Sequence, residues 1–262
     1  MTDAPIYLET SGEIAVLVIN RPEKRNALNR EAWEAIPRLV RDVASDSRVK
    51  VLLLRGATPE AFASGADIGE FAEVYATVNS ARHYHEVILR TAFEAITALE
   101  KPTIALIRGI CFGGGCALAL TCDLRYADTS ARFSIPPAKL GLAYSLREAK
   151  RLVDLVGPSK AKEILFSGRV VDAPEALEIG LLTRLFQPGH LERETFALAE
   201  ELCRLSQYSI HAIKRIVGVI ADGAADDNEL TRGLVLGAFG SPDYQEGRDA
   251  FLEKRPPRFT YR

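Results

Sequence analysis

Two short runs of nearly unbroken apolar residues, Glu13–Ile19 (EIAVLVI) and Val49–Arg55 (VKVLLLR), predict strands buried largely on both faces. Between them Trp33, Ile36, Leu39, Val40 and Val43 recur at helical spacing through Arg30–Asp46, where Pro37 is expected to cause a local distortion. The same spacing returns over Ser80–Leu99, with Ala81, Tyr84, Val87, Ile88, Thr91, Ala95 and Leu99 as its inner face. Thr103–Arg108 and Asp123–Tyr126 read as further strands. Strands alternating with helices predict an α/β core. After about residue 145 the strand signal fades, and helices are predicted over Ser145–Val156, Ser159–Phe166, Ala173–Ile179, Leu191–Leu205, Ser209–Ala221 and Asn228–Phe239. Pro158, Pro174, Pro188 and Pro242 punctuate them. The chain therefore divides into an α/β core, residues 1–195, and a helical region, residues 196–262. Ile210–Ile220 (IHAIKRIVGVI) has apolar residues enough to pack on a partner subunit or on its own core.

Composition narrows the functional classes. With 262 residues, 47% of them hydrophobic and 26% charged, the chain is long enough for a well-buried interior and ordinary for a globular protein. A net charge of -2 gives no global attraction to nucleic acid or acidic lipid, so an anionic ligand must meet a local basic patch. Cys111, Cys116, Cys122 and Cys203 match neither a CxxC nor a zinc spacing, and read as small buried hydrophobes in a reducing compartment, with no metal site. The start, MTDAPIYLET, lacks a basic or apolar leader pattern, and no uncharged apolar run reaches the ~20 residues that span a bilayer. These features predict a cytoplasmic protein without membrane or nucleic-acid partners.

The chemistry concentrates at Lys101–Asp123 (KPTIALIRGICFGGGCALALTCD), where an apolar strand enters Gly113-Gly114-Gly115 and an uncharged small-residue helix. Such a turn presents bare N–H groups at a positive helix terminus, fit to cradle phosphate or hold an oxyanion. Close helix–strand packing would use the same glycines. A phosphate loop would need a Lys-Ser/Thr pair after the glycines, and a dinucleotide fingerprint needs G-x-G-x-x-G after the first strand; neither is present. A second small-residue turn, Ala61–Ile68 (AFASGADI), also leads into a helix. Two such turns can give two N–H donors to one oxygen.

Asn20–Asn29 (NRPEKRNALN), AFASGADI, Lys101–Asp123 and Tyr244–Arg255 (YQEGRDAFLEKR), in this order, resemble the enoyl-CoA hydratase/isomerase family, the crotonase superfamily. The resemblance covers nearly the whole chain. It implies a spiral of ββα units followed by a helical trimerisation region, assembled as a homotrimer or a dimer of trimers. By the same resemblance, the N–H groups of Ala66 and Gly114 grip the thioester oxygen of an acyl-CoA, and Lys24, Arg25 and Ala27 lie along its pantetheine and nucleotide. Asp67 and Ile68 line the adenine side, and Phe251 and Lys254 reach the nucleotide, often from a neighbouring subunit. No cofactor is implied beyond the coenzyme A of the substrate. Arg21, Lys24 and Arg25 supply the local basic cluster that a nearly neutral chain needs for a polyanion.

The resemblance is incomplete where the reaction is decided. Hydratases of the family carry a glutamate two residues after the glycine triplet, here Ala117, and a second on the next strand–turn, here Pro137. Isomerases and dehalogenases place an acid slightly later, where this chain has Ser145; Glu148 is the nearest carboxylate and is expected to close a capping box with Ser145. His83 and His85, two residues apart on a helix, face different sides, so at most one enters an acyl pocket, and both read as surface or packed histidines. Pro136–Tyr144 (PPAKLGLAY) resembles the decarboxylase branch, exemplified by methylmalonyl-CoA decarboxylase, which has a tyrosine at the position of Tyr144. That branch often has histidine where this chain has Ala66. Tyr144 either orients a carboxylate or closes the core with its hydroxyl tied to backbone. The implied functions are decarboxylation of a malonyl-type acyl-CoA, then hydration or isomerisation by other groups, then acyl-CoA binding without catalysis.

Overall fold

The computed structural model describes residues 3–261; Met1 and Thr2, at the start of the segment read above for a leader, lie outside them. The chain opens with a hairpin, β1 (Ile6–Ser11) and β2 (Ile14–Ile19), followed by α1 (Arg30–Ser45), β3 (Val51–Gly56) and β4 (Ala61–Ala63). Then come α2 (Phe71–Val74), α3 (Val78–His83), a π-helical turn at Tyr84–Leu89 and α4 (Arg90–Ala98). The centre of the chain forms β5 (Thr103–Ile107), β6 (Ile110–Phe112), α5 (Gly113–Ala119), β7 (Leu124–Asp128) and β8 (Arg132–Ser134). The remainder is α6 (Leu146–Ser167), β9 (Val171–Asp172), α7 (Ala173–Glu178), β10 (Arg184–Phe186), α8 (Leu191–Arg204), α9 (Gln207–Ala221), α10 (Glu229–Phe239) and α11 (Pro242–Glu253).

Two sheets result, one of six strands in the order β1-β2-β3-β5-β7-β10 and one of four in the order β4-β6-β8-β9. Successive strands alternate between them: β3, β5 and β7 belong to the large sheet, while β4, β6 and β8 follow in the small one. Helices then return the chain, which is the ββα spiral. Apart from the β1–β2 and β8–β9 pairs, both ladders are parallel.

The large sheet has a core on each face, which explains its unbroken apolar runs. Ala15, Leu17 and Ile19 of β2 enter one core while Ile14, Val16 and Val18 enter the other. β3 and β5 repeat the period of two: Leu52, Leu54, Ala105 and Ile107 face the helices α1 and α4, and Val51, Leu53, Ile104 and Leu106 face α8.

The structure corrects several expectations. Strands do not end near residue 145, because β9 joins the small sheet and β10 pairs in parallel with β7. With two and three residues, they are too short to show a period. α1 runs through Pro37, giving up only the N–H that would bond the Trp33 carbonyl. The helical face over residues 80–99 also changes: Val87 is half exposed and Thr91 is exposed, while Leu89, Ala92, Phe93 and Ile96 are buried. The π-helical turn inserts one residue and advances the buried face from Tyr84 and Ile88 to Leu89. Gly157, with φ of 75°, breaks α6 where two helices had been expected. Among the described residues no helix is long and apolar enough to cross a membrane.

Candidate active site

Two backbone turns meet at the end of the small sheet. In the first, following β4, the Leu28 N–H donates to the Gly65 carbonyl at 2.8 Å and the Asp67 N–H donates to the Leu28 carbonyl at 2.9 Å. This parallel bridge engages the neighbours of Ala66, so the N–H of Ala66 itself points away from Leu28. In the second, β6 passes through Gly113, with φ of 49°, into α5. Gly114 is the second helical residue, so its N–H has no partner within the helix, and Phe112 provides no side-chain cap.

The turns are close enough to serve one ligand atom. A methyl group on Gly114 would lie 3.4 Å from the Ala66 nitrogen, and one on Gly65 would lie 3.5 Å from the Gly114 nitrogen. The contact depends on Gly115, where a side-chain carbon would lie 2.5 Å from the Ala63 carbonyl oxygen. Glycine there lets α5 pack directly on β4. One amide donor from each turn, that of Gly114 in the first turn of α5, can stabilise a negative oxygen.

The loop before α1 is bound to the first turn. Ser64 donates from its N–H to the Arg25 carbonyl at 3.0 Å. Arg25 and Asn26 both adopt left-handed backbone, at φ of 50° and 56°. Buried Asn26 holds that shape by accepting from the Arg21 N–H at 3.0 Å and donating to the Ala61 carbonyl at 2.7 Å. Arg21 is not part of a free basic cluster. Its guanidinium donates at 2.8 Å both to the Ala27 carbonyl and to the Asp67 carboxylate. The hydrogen bond from Arg21 holds the Asp67 carboxyl below the usual range, helped by the N–H of Gly69. Lys24 and Arg25 are exposed and make no ion pair among the described residues. Ala27 is buried beside them, and Ile68 projects, 64% exposed.

Asp67, Glu70 and Glu148 each carry a structural bond. Asp67 is tied to Arg21, and Glu70 accepts the Arg30 N–H at 2.7 Å. Glu148 forms the predicted capping box, accepting the Ser145 N–H at 3.2 Å while its own N–H donates to Ser145 Oγ at 3.3 Å. Ala117 lies in the main core, and Pro137 starts a single turn of 3-10 helix. Tyr144 packs against the same core, and its buried hydroxyl has no hydrogen-bond partner among the described residues. Burial, followed by the charge of Glu148, pushes its ionisation well above the ordinary value. This hydroxyl is a neutral donor and is not tied to backbone.

His83 is exposed, whereas His85 is half-buried and its Nε2 lies 3.2 Å from the Tyr75 hydroxyl. His85 and Glu148 border one cleft of about 290 Å³. Trp33 approaches the second turn, its Cζ2 lying 3.2 Å from the position of a methyl group on Gly114, without a signal in the sequence, because its spacing is ordinary for a helix face. Phe251, 84% exposed, and Lys254, the left-handed cap of α11, have no hydrogen bond or ion pair to the two turns among the described residues. The cysteines are all buried and unpaired as disulfides.

The family model described as enoyl-CoA hydratase/isomerase matches residues 9–262. The chain belongs to the enoyl-CoA hydratase/isomerase family. A crotonyl-CoA hydratase of Syntrophomonas wolfei is 35% identical over 258 residues, covering 97% of each chain. A short-chain-enoyl-CoA hydratase of Clostridium acetobutylicum is 32% identical over 95% of each. Among solved structures, a protein assigned to the enoyl-CoA hydratase/isomerase family from Hyphomonas neptunium superposes with a TM-score of 0.95, at 42% identity and 98% coverage of both chains. The spiral fold and the enzyme family named from four ordered motifs therefore stand, and an acyl-CoA thioester is the family's substrate class.

Proposed function

We propose that the chain decarboxylates a malonyl-type acyl-CoA, using the Ala66 and Gly114 N–H groups as an oxyanion hole. The reading rests on one observation: Asp67, Glu70 and Glu148 are each engaged in a structural bond, and Ala117 sits in the core where the resemblance expects a hydratase glutamate. Decarboxylation needs no base. The bond between the α-carbon and the carboxylate breaks, CO2 leaves, and the electron pair enters the thioester as an enolate held by the two amides. An apolar surrounding favours this delocalised charge over the localised carboxylate. Tyr144, a neutral hydroxyl donor, orients the departing carboxylate and returns a proton to the α-carbon, and solvent restores it.

Lys24, Arg25 and Ala27 would run along the coenzyme A moiety, whose phosphates match the two unpaired cations. No other cofactor enters this scheme. The exposed apolar side chains of α9 and α10, including Ile213, Val217, Leu236 and Phe239, support a homotrimer or dimer of trimers. Phe251 and Lys254 would then reach a neighbouring subunit's nucleotide.

Hydration or isomerisation is the second reading. It is favoured by the names of the similar hydratases and by buried Glu148, which borders a cleft with His85. Incubation with methylmalonyl-, ethylmalonyl-, crotonyl- and 3-enoyl-CoA, with products followed by mass spectrometry, separates the two. Decarboxylation should survive Glu148→Gln and weaken in Tyr144→Phe. Turnover of crotonyl-CoA alone, lost in Glu148→Gln, would reject decarboxylation in favour of hydration.

A further inference from the structure

After α11 the chain turns back on itself. Lys254 takes left-handed backbone at φ of 55°, and residues 255–261 return along the helix. Arg255 grips Glu246 through two nitrogens, at 2.6 and 2.9 Å, and the Arg258 N–H donates to the same carboxylate at 2.6 Å. One turn nearer the start of α11, buried Asp243 accepts the N–H groups of Thr260 and Tyr261 at 3.1 and 3.2 Å. It also accepts the hydroxyl of Ser206, the N-cap of α9, at 2.7 Å. The returning segment ends on α9, where the Tyr261 ring meets Tyr208 edge-on at 5.3 Å and His211 at 6.3 Å.

His211 is the weak point of this closure. Its Nε2 is buried and has no hydrogen-bond partner among the described residues. Lys214, one turn along the same face of α9, donates to the Lys101 carbonyl at 2.9 Å and to the Asp123 carboxylate at 2.7 Å, which seats His211 over the loop before β5. The groups around the imidazole are therefore Lys214, Tyr208 and Gln207 of its own helix, Glu100 and Lys101 of that loop, and Tyr261, with Asp123 engaged by Lys214 and Asp243 holding the Tyr261 backbone. Burial holds its pKa below the ordinary histidine value; Glu100 opposes this, and Lys101 and Lys214 reinforce it. An imidazolium must donate from both ring nitrogens, so protonation would bury an Nε2–H without an acceptor. The loop is firmly tied, since Lys101 donates to the Val43 and Asp46 carbonyls at 2.6 and 2.8 Å. Tyr261 meets α9 through ring contacts, and no hydrogen bond joins the two among the described residues.

We infer that residues 255–261 form an acid-sensitive strap, in which protonation of His211 lifts Tyr261 from α9 and releases the strap. The inference is independent of which thioester reaction the chain performs. The open form binds the proton more tightly, so opening grows as pH falls below about 6.5, by at most about tenfold per pH unit. The amides of Arg258, Thr260 and Tyr261 report on closure, because their bonds to Glu246 and Asp243 exist only in the closed form. Hydrogen exchange of the full chain, corrected for intrinsic rates, should show their protection falling about three- to tenfold from about pH 7.5 to about pH 5.5. His211→Gln, which cannot take up the proton, should keep its protection throughout, and Tyr261→Ala should lack protection throughout. The chain has 4 histidines, so the ring-proton signal missing from His211→Gln identifies His211 by NMR. That signal should titrate below about 6.5 in the wild type. Wild-type protection that changes less than about twofold over this range overturns the inference without any variant. So does an equal acid response in His211→Gln, which would assign it to carboxylates, a Tyr261→Ala variant that keeps wild-type protection, or a His211 that titrates at or above the ordinary value.

Discussion

The Arg21–Asp67 ion pair joins the loop before α1 to the turn that carries Ala66, and its strength can be worked from its geometry. The 2.8 Å separation corresponds to a gross attraction of about 6 kcal/mol at an effective dielectric of about 20. The side chains are 17% and 14% exposed, so much of this is offset by lost hydration, but the pair is better shielded than a surface bridge. Arg21 also donates to the Ala27 carbonyl, and Asp67 also accepts the Gly69 N–H, so neither side chain must be ordered for the pair alone. Asp67→Asn should therefore cost about 2 kcal/mol, and a cycle with Arg21→Met should return a coupling of about 1–2 kcal/mol. The measurement is urea unfolding of the four proteins. The pH dependence has a defined sign. Arg21 lowers the folded-state pKa of Asp67, so the stabilisation is present above the ordinary carboxylate value of about 3.9 and is lost as pH falls through the folded value. Wild type and Asp67→Asn should accordingly begin to converge as pH falls below about 3.9, and meet only below the lower folded-state value of Asp67. A coupling under about 0.5 kcal/mol, or one abolished by molar salt, would place the pair among ordinary surface bridges and refute the reasoning.

Gly114→Pro deletes one proposed oxyanion donor at a helix position where proline is otherwise tolerated, and should lower turnover of any processed thioester by about 10²–10³-fold. Gly114→Ala serves as the control for the added carbon, and an active, folded proline variant would reject the donor assignment. Gly115→Ala drives a methyl group to 2.6 Å from the Ala63 Cβ and should cost about 1–3 kcal/mol, seen as a lowered Tm; an unchanged Tm would show that α5 can retreat from β4. All four cysteines are buried, and burial pushes the Cys122 thiol up to about 12 and Cys203 to about 11. Ellman's reagent near neutral pH should consequently label native protein slowly and denatured protein fully, and rapid native labelling would contradict this packing.

The large sheet was legible because strands buried on two faces must be apolar at every position, as in IAVLVI and VLLLR. The turns holding Ala66 and Gly114 were legible for a different reason: glycine is required where backbones approach this closely, and that requirement is local. Ser145 and Glu148 formed their box because capping is likewise decided within four residues. Strands β4, β6, β8, β9 and β10 left no such mark, since two or three residues carry no period and are fixed only by their partners. The π-helical turn that moves the buried face from Ile88 to Leu89 is a choice of packing, not of propensity.

Charge shows the same division most clearly. In the sequence Arg21 stands beside Lys24 and Arg25 as one basic cluster, but the fold commits it to Asp67, 46 positions further along, and leaves the other two without an ion pair among the described residues. The bearing of Trp33 on Gly114 and of Tyr75 on His85 is decided in the same way. Sequence alone determined the family and the two glycine turns, because each depends on residue identity at a fixed local spacing. Tertiary structure decided which carboxylates are occupied and that Trp33 lies against Gly114, because both depend on distances that no local pattern encodes.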